Sequence, residues 1–497
     1  MFNKFILTQF IEVIEKFPGE NSFLINDRFY SYEDFARYIS SIRTALQSIN
    51  TKSKNIGLVA NDDIQTYASI FAVWFEGLVY VPLHPQQPME RSLEIISQAE
   101  IDLVMDSSPA TKYKNIPIIE TATVRFEKFD LQPKDTPDNN LALILFTSGS
   151  TGKPKGVEIT RKNIGAMMKS FWEYGIKINE KDRCLQCFDL TFDTSFHSFL
   201  VPLLSGACVY TIPHDQIKYS YIYSLLVDHQ LTYATMVPSM IRYLSPYFDE
   251  IDNSSLHYNI ICAEGLPVDL ALKWAKCIPK ADIYNFYGNT EAAVFTTHYK
   301  LDREGINKHL NGIMTIGKPF DGFKVVIIDE EKNILKANQK GELCISGDQV
   351  TSGYWKNQIK NEESFFEIEM DGVLTRFFRT GDSCFIDDDG DIMIAGRLDF
   401  QVKIQGHRVE LGEIEHFARE FLNGSNAVAI AFDNKIGNVE IALFIEGTIT
   451  SETGLIEYLK GKIPYYMIPT HLIKEDSFEL NTNGKIDRIK LKNHLIN

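Results

Sequence analysis

The spacing of apolar residues changes period several times along the chain. Residues 5 to 17 carry apolar side chains at helical intervals, broken by Glu12, Glu15 and Lys16, and predict an amphipathic helix. The hairpin text NSFLINDRFYS follows, and Ser31 with Asp34 forms a capping box that opens a helix through Leu46. A short strand is expected at 55–60 (NIGLVA), then a helix over 64–77 rich in Ala, Phe and Trp. VYVPLHPQQPMERS next reads as a strand stopped by three prolines, leading into a helix to about Ala99. Strand and helix keep alternating, with further helices over 161–174 and up to Lys276 and buried strands at YATMVP (233–238), NIICA (259–263) and DIYNF (282–286). Such alternation is the text of a mostly parallel α/β sheet. From Gly317 the period shortens to two in FKVVIID and GELCISG, which predicts a β-rich subdomain. QVKIQGHRVELGEIE then reads as a hairpin turning at Gly406 into a helix, followed by the strands NAVAIAF and VEIALFIEG and a helix over 454–462.

Length turns this string of elements into domains. A chain of 497 residues exceeds what one core supports, so a large domain and a smaller one are expected. With 44% hydrophobic and 23% charged residues, the composition is that of an ordinary globular protein. The net charge of −16 and the lack of a long basic run argue against a nucleic-acid surface. No stretch approaches the ~18 apolar residues of a membrane span, and the N-terminus lacks the apolar core and cleavage site of a signal peptide. The seven cysteines are scattered and odd in number, which fits a reducing compartment, and a cytoplasmic location is expected. Cys184 and Cys187 form a lone CxxC with no second pair, and read as packing residues.

The chemistry concentrates at LALILFTSGSTGKPKGV, where an apolar run ending at Phe146 stops at a loop of three glycines, four hydroxyls and two lysines. Glycine lets backbone approach a ligand, hydroxyls are short donors and lysine supplies charge, which together suit phosphate. A Walker A loop would need four residues between glycine and the Gly-Lys pair, then Ser or Thr. Here Gly149 lies three residues before Gly152-Lys153, and Pro154 follows, so the loop is of another kind. A plain polar surface turn is the other reading.

TSGSTGKPKG resembles the phosphate-loop signature of the adenylate-forming superfamily, which contains acyl-CoA synthetases, luciferases and the adenylation domains of nonribosomal peptide synthetases. Further segments in order resemble other motifs of that family: YVPL at 80–83, FDTSFHS from Phe192, YGNTE from Tyr287, SGYWKN from Ser352, RTGD from Arg379 and NGKIDR from Asn483. The resemblance spans essentially the whole chain. It implies an α/β large N-terminal domain, residues 1–398, of stacked α/β subdomains with a β-rich subdomain. A small mobile α+β C-terminal domain, residues 399–497, would be hinged at Asp399 and rotate between two half-reactions.

Residue by residue, the resemblance assigns the β- and γ-phosphates of ATP to Thr147, Ser148, Gly149, Ser150, Thr151, Gly152, Lys153, Lys155 and Gly156. AMP would be held by Asn285 on the adenine edge, Tyr287 stacking on the base, Thr290 at the α-phosphate, Asp382 on both ribose hydroxyls, and Arg397. Glu291 would hold magnesium, and Lys485 would be the catalytic lysine. Asn289 replaces the proline usual in YGPTE, a mild change in a turn. Gly381-Asp382-Ser383 superficially resembles a carrier-protein serine site, but the RTGD register speaks against it.

Asp193 stands where amino-acid-activating members carry an aspartate for the substrate ammonium, with Gly206 thirteen residues on. A carboxylate in an apolar run needs a partner. The other readings are that Asp193 caps a helix starting near Ser195, or that Asp189 takes the ammonium instead. By motif register the side-chain pocket is Thr194, His197, Met236, Ile260, Cys262, Phe286, Val294 and Phe295. Its large apolar residues favour a small or compact apolar amino acid, and His197 reads first as packing. Cys262 resembles D-alanine:D-alanyl carrier protein ligases, although FDTSFHS departs from their FDLS and Asn289 from their proline, so D-alanine stands beside proline and other small candidates.

The implied reaction forms aminoacyl-AMP from ATP, with Mg2+ as cofactor and pyrophosphate released, and then passes the acyl group to a thiol. With 12 residues after Lys485 and no condensation-like text before residue 141, the acceptor is expected to be a phosphopantetheinylated carrier protein in trans, with coenzyme A as the other acceptor. Two other classes remain: an acyl- or aryl-CoA synthetase, which would not need Asp193, and a non-catalytic nucleotide-binding module.

Overall fold

The computed structural model describes residues 1–49, 51–149, 152–370, 372–447, 449, 451–479 and 486–495. Ser150, Thr151 and Lys485, three of the expected site residues, lie outside the described residues. The chain forms two compact units: one of residues 1–85, 98–145 and 156–398, the other of 86–97, 146–155 and 399–497.

Two large sheets carry the first unit. One has nine described strands and contains Tyr233–Met236, Tyr258–Ile261 and Asp282–Tyr287 side by side and parallel. The other has seven, with Leu141–Thr147 paired in parallel with Val79–Leu83. Strands of this kind, buried on both faces, read as near-continuous apolar runs, as Val79–Leu83 and, after Asn55, Asn55–Val59 do. Helices Tyr32–Gln47, Ile64–Phe75, Arg161–Tyr174 and Asp193–Leu203 contribute to one continuous core with Ile260, Cys262, Tyr284 and Phe286. Ala234, Met236, Ile261 and Ile283 belong to a second core with helix Val268–Cys277. Successive strand residues therefore alternate between the two cores, as the pleat requires.

Local chemistry sets the helix ends. Ser31 accepts from the Asp34 N–H while Asp34 accepts from the Ser31 N–H, the capping box expected from the sequence. Thr160 and Asn163 repeat the device at helix Arg161–Tyr174, which ends at Gly175 with φ 95°. The N-terminal helix differs from expectation: Asn3–Thr8 is a π-helical turn running into the α-helix Gln9–Lys16.

A five-stranded antiparallel sheet, the expected β-rich subdomain, includes Val373–Ile386 paired with Ile392–Arg397, which sets Asp382 opposite Arg397. In the second unit the hairpin Gln401–Ile404 and His407–Glu410 turns at Gly406 with φ 81° and runs into helix Leu411–Phe421. Its main sheet is Ala427–Asp433, Val439–Glu446 and His471–Glu475. All seven cysteines are buried and none is in a disulfide, Cys184 and Cys187 included. Among the described residues no helix is long and apolar enough to cross a membrane.

Candidate active site

Strand Asp282–Tyr287 delivers three of the expected groups to its C-terminal end, where ligands bind in open α/β sheets. The Asn285 side chain is buried and donates to the Thr315 carbonyl at 2.9 Å. Tyr287 donates its hydroxyl to Asp382 Oδ2 at 2.5 Å. Burial, reinforced by the Asp382 charge, pushes the Tyr287 phenol well up, so it stays a donor. Arg397 Nη1 donates to the other oxygen, Asp382 Oδ1, at 2.9 Å. Asn285, Tyr287, Asp382 and Arg397, far apart in sequence, thus converge through one strand end and one antiparallel pair.

The turn after Tyr287 is tightly folded. A Cβ on Gly288 would sit 1.8 Å from the Val294 carbonyl oxygen, so only glycine fits. Ala293 and Val294 have φ of 47° and 84°. A β-branched residue there costs about 1–3 kcal/mol, strain of the kind that collects at functional sites. Thr290 and Glu291 lie in the 3-10 turn Thr290–Ala292, with Thr290 half-buried. Glu291 is fully buried and accepts the Tyr354 hydroxyl at 2.5 Å. Tyr354, within SGYWKN, thus bonds an expected site residue, a contact that motif register did not assign.

Asp193 is the first residue of helix Asp193–Leu203, whose N-cap is Phe192 with no side-chain cap. The helix thus begins at Asp193 rather than near Ser195, and the carboxylate does not cap from outside. Its Oδ1 accepts from the Thr194 N–H at 2.7 Å and the Thr194 hydroxyl at 3.3 Å. An acid in the first turn also complements the helix dipole. The other candidate, Asp189, already faces a cation: Lys218 Nζ donates to it at 2.9 Å, with His84 Nε2 3.8 Å away.

One turn beyond Asp193, His197 is wholly buried with its ring edge-on to Phe171 at 4.8 Å and Phe295 at 4.9 Å. Phe295 meets Phe286 at 5.2 Å between ring centres. Burial drives the imidazole down to about 3, so it is neutral near pH 7, and neither ring nitrogen has a hydrogen-bond partner among the described residues. Thr194, Ile260, Cys262, Phe286, Val294 and Phe295 are all buried, and the last five share the core that receives Tyr284.

Met236 departs from the expected pocket. It packs in the second core beside its register partner Ile261, on the opposite face of the sheet from Ile260 and Cys262. The residue on the pocket-side face is Thr235, paired with Ile260. Its buried hydroxyl, beside that of Tyr233, makes no hydrogen bond of ordinary geometry among the described residues. Period-two counting back from Cys262 and Ile260 through the register would have found it.

The phosphate-loop residues described are Thr147, Ser148, Gly149, Gly152, Lys153, Lys155 and Gly156. Up to Lys155 they lie in the second unit with Asp399. Gly149 cannot bear a Cβ, which would fall 2.0 Å from the Lys153 carbonyl, and Gly152 has φ 81°. Within that unit the Gly149 N–H donates to Glu413 at 3.1 Å, Lys155 Nζ to Glu410 at 3.0 Å, and the Ser148 hydroxyl to the Arg408 carbonyl at 3.0 Å. Lys153 is 3.9 Å from Glu94. Arg91 donates to the other Glu413 oxygen at 2.5 Å; burial pushes that carboxyl up while Arg91 and the Gly149 N–H pull it down. A backbone N–H and an ammonium of the loop thus already hold anionic oxygens, as an anion cradle does.

Residues 10–355 match the family of AMP-binding enzymes. Tyrocidine synthase 1 of Brevibacillus parabrevis is 29% identical over 492 residues, 96% of this chain and 44% of that protein. Gramicidin S synthase 1 of Brevibacillus brevis is 27% identical over 502 residues, 98% of this chain and 44% of that protein. The chain therefore spans less than half the length of these curated relatives. Among solved structures, the Vibrio cholerae adenylation domain AlmE in complex with glycyl-adenosine-5'-phosphate superposes with a TM-score of 0.86 at 23% identity, covering 98% of this chain and 97% of that one. The o-succinylbenzoate CoA synthetase MenE from Bacillus subtilis gives 0.82 at 17% identity, covering 98% of each chain. With the family matched over most of its length and the adenylation-domain fold throughout, the chain belongs to the AMP-binding enzymes, a family of adenylate-forming ligases.

Proposed function

We propose that this protein joins an amino acid to AMP, releasing pyrophosphate, and then transfers it to the phosphopantetheine thiol of a separate carrier protein in the cytoplasm. Asp193 carries the reading: a carboxylate in a helix's first turn, ahead of the aromatic walls of His197, Phe295 and Phe286, is a receptor for an ammonium group. Asp189, with Lys218 beside it, is not. The bound aminoacyl adenylate in AlmE and the adenylation-carrier pairing in the similar protein PA1221 are consistent with this.

In this reading Tyr287 offers an aromatic face to adenine, and the Asp382 carboxylate exchanges its Tyr287 bond for ribose hydroxyls while Arg397 keeps it ionised. Lys485 offers a cation to the reacting carboxylate and the α-phosphate, where charge builds in the transition state. Glu291 fits magnesium, because a single buried carboxylate is enough for an ion that keeps its waters and takes phosphate oxygens. That ion would neutralise charge on the departing pyrophosphate. The loop around Gly149 and Lys155 would hold the β- and γ-phosphates. Residues 1–398 and 399–497 are proposed as the working domains, with Asp399 as hinge.

A second reading, a CoA synthetase acting on an acid without an amine, has support in the fold likeness to MenE. Pyrophosphate exchange with a panel of amino acids and amine-free acids tests both. Amino acids should be activated and Asp193→Ala should abolish it; activation of amine-free acids alone, untouched by Asp193→Ala, would refute the first reading.

A further inference from the structure

The pocket contains polar groups that an apolar amino acid would leave unused. His197 is wholly buried, with two ring nitrogens that have no partner among the described residues. Thr235 lies on the same sheet face as Ile260 and Cys262, and its buried hydroxyl, beside that of Tyr233, makes no hydrogen bond of ordinary geometry among the described residues. Well over nine in ten buried polar groups find a partner, so two orphans beside residues of one core, His197 against Phe295 and Thr235 paired with Ile260, call for a ligand that supplies one. Met236, the residue that would have made this wall apolar, faces the other core.

The chemistry of the orphans defines the ligand. A neutral imidazole donates from one nitrogen and accepts at the other. It offers no charge to balance a carboxylate or an ammonium. Phe286 and Phe295 lie 5.2 Å apart between ring centres and Phe295 adjoins His197, and bulky residues at the expected pocket positions favour a short side chain.

We infer that the amino acid taken by this site has a short, uncharged side chain ending in a hydroxyl or carboxamide, and that His197, with Thr235, hydrogen-bonds that end. The inference rests on the amino-acid-activating reading and narrows it away from purely apolar substrates.

The test is pyrophosphate exchange by the full chain with L- and D-serine, L-threonine and L-asparagine against glycine, L- and D-alanine, L-valine and L-proline. At least one hydroxyl or carboxamide amino acid should exceed its apolar counterpart at least tenfold in kcat/KM, since a site built to bond a polar group rejects the analogue lacking it. His197→Phe should erase that ratio, lowering exchange with the hydroxyl or carboxamide amino acid more than with its apolar counterpart, and His197→Gln, which keeps a donor and an acceptor, should restore part of it. Thermal melts of both variants verify folding. Preference for an apolar amino acid, or an unchanged serine-to-alanine ratio in a folded His197→Phe protein, overturns the inference while leaving amino-acid activation intact. Exchange with amine-free acids alone overturns both.

Discussion

Replacing Asp382 by Asn tests the nucleotide half of the site most directly. The carboxylate is 7% exposed and serves two donors, Tyr287 at 2.5 Å on one oxygen and Arg397 at 2.9 Å on the other. An amide has one accepting oxygen, so its NH2 must face either a hydroxyl or a guanidinium, and at least one bond to a charged group is lost. Such a bond contributes about 1.5–3 kcal/mol. At about 1.4 kcal/mol per factor of ten, kcat/KM for ATP should fall roughly 10- to 150-fold. Pyrophosphate exchange at saturating amino acid measures it, with the KM for the amino acid as an internal control that should stay within about twofold. Tyr287→Phe leaves the carboxylate for the ribose hydroxyls and removes only a bond that the nucleotide displaces, so its loss should be smaller. An unchanged ATP dependence in Asp382→Asn, or equal rises in both KM values, would show that the Tyr287–Asp382–Arg397 cluster holds the fold and not the nucleotide.

Other outcomes follow from the same geometry. Lys485→Ala should abolish adenylate formation yet spare thioester formation from supplied aminoacyl-AMP, and equal loss in both assays would remove Lys485 from its role. Lys155→Ala should raise the KM for ATP, whereas Glu410→Gln, which releases Lys155 from its 3.0 Å ion pair, should lower it; ATP titrations of both variants decide. Gly288→Ala forces the Val294 carbonyl away from a Cβ that would lie 1.8 Å from it, and should cut exchange activity and lower the melting temperature. His197 is held near 3 when folded against 6.5 ordinarily, so the unfolded chain binds the extra proton between these values. Stability therefore falls as pH drops from about 6.5 toward 3, by about 2 kcal/mol at pH 5. Melting temperatures should drop more steeply over that range in wild type than in His197→Phe.

Sequence text alone carried the family. Glycines that tolerate no Cβ, a strand ending in an aromatic with a carboxylate in the turn beyond it, and a hairpin at Gly406 are local demands, written in nearby residues. Periodicity likewise announced the parallel sheets and the turn to alternating strands after Gly317, and residue spacing announced the capping box at Ser31. Which side of a sheet a residue faces is not local. Met236 and Thr235 are neighbours in a four-residue buried strand, and only the register against Ile260 and Ile261 decides which one reaches the pocket side. Pairing across distance is equally silent in sequence: Lys218 beside Asp189, Tyr354 on Glu291, Tyr287 on Asp382. The same holds for His197, whose identity was legible, but whose want of a partner appears only once packing has excluded water and neighbours from its ring. Chain-local geometry and hydrophobic period determined the elements and the family motifs, whereas burial and register, which depend on residues far apart in sequence, decided how the substrate side chain is read.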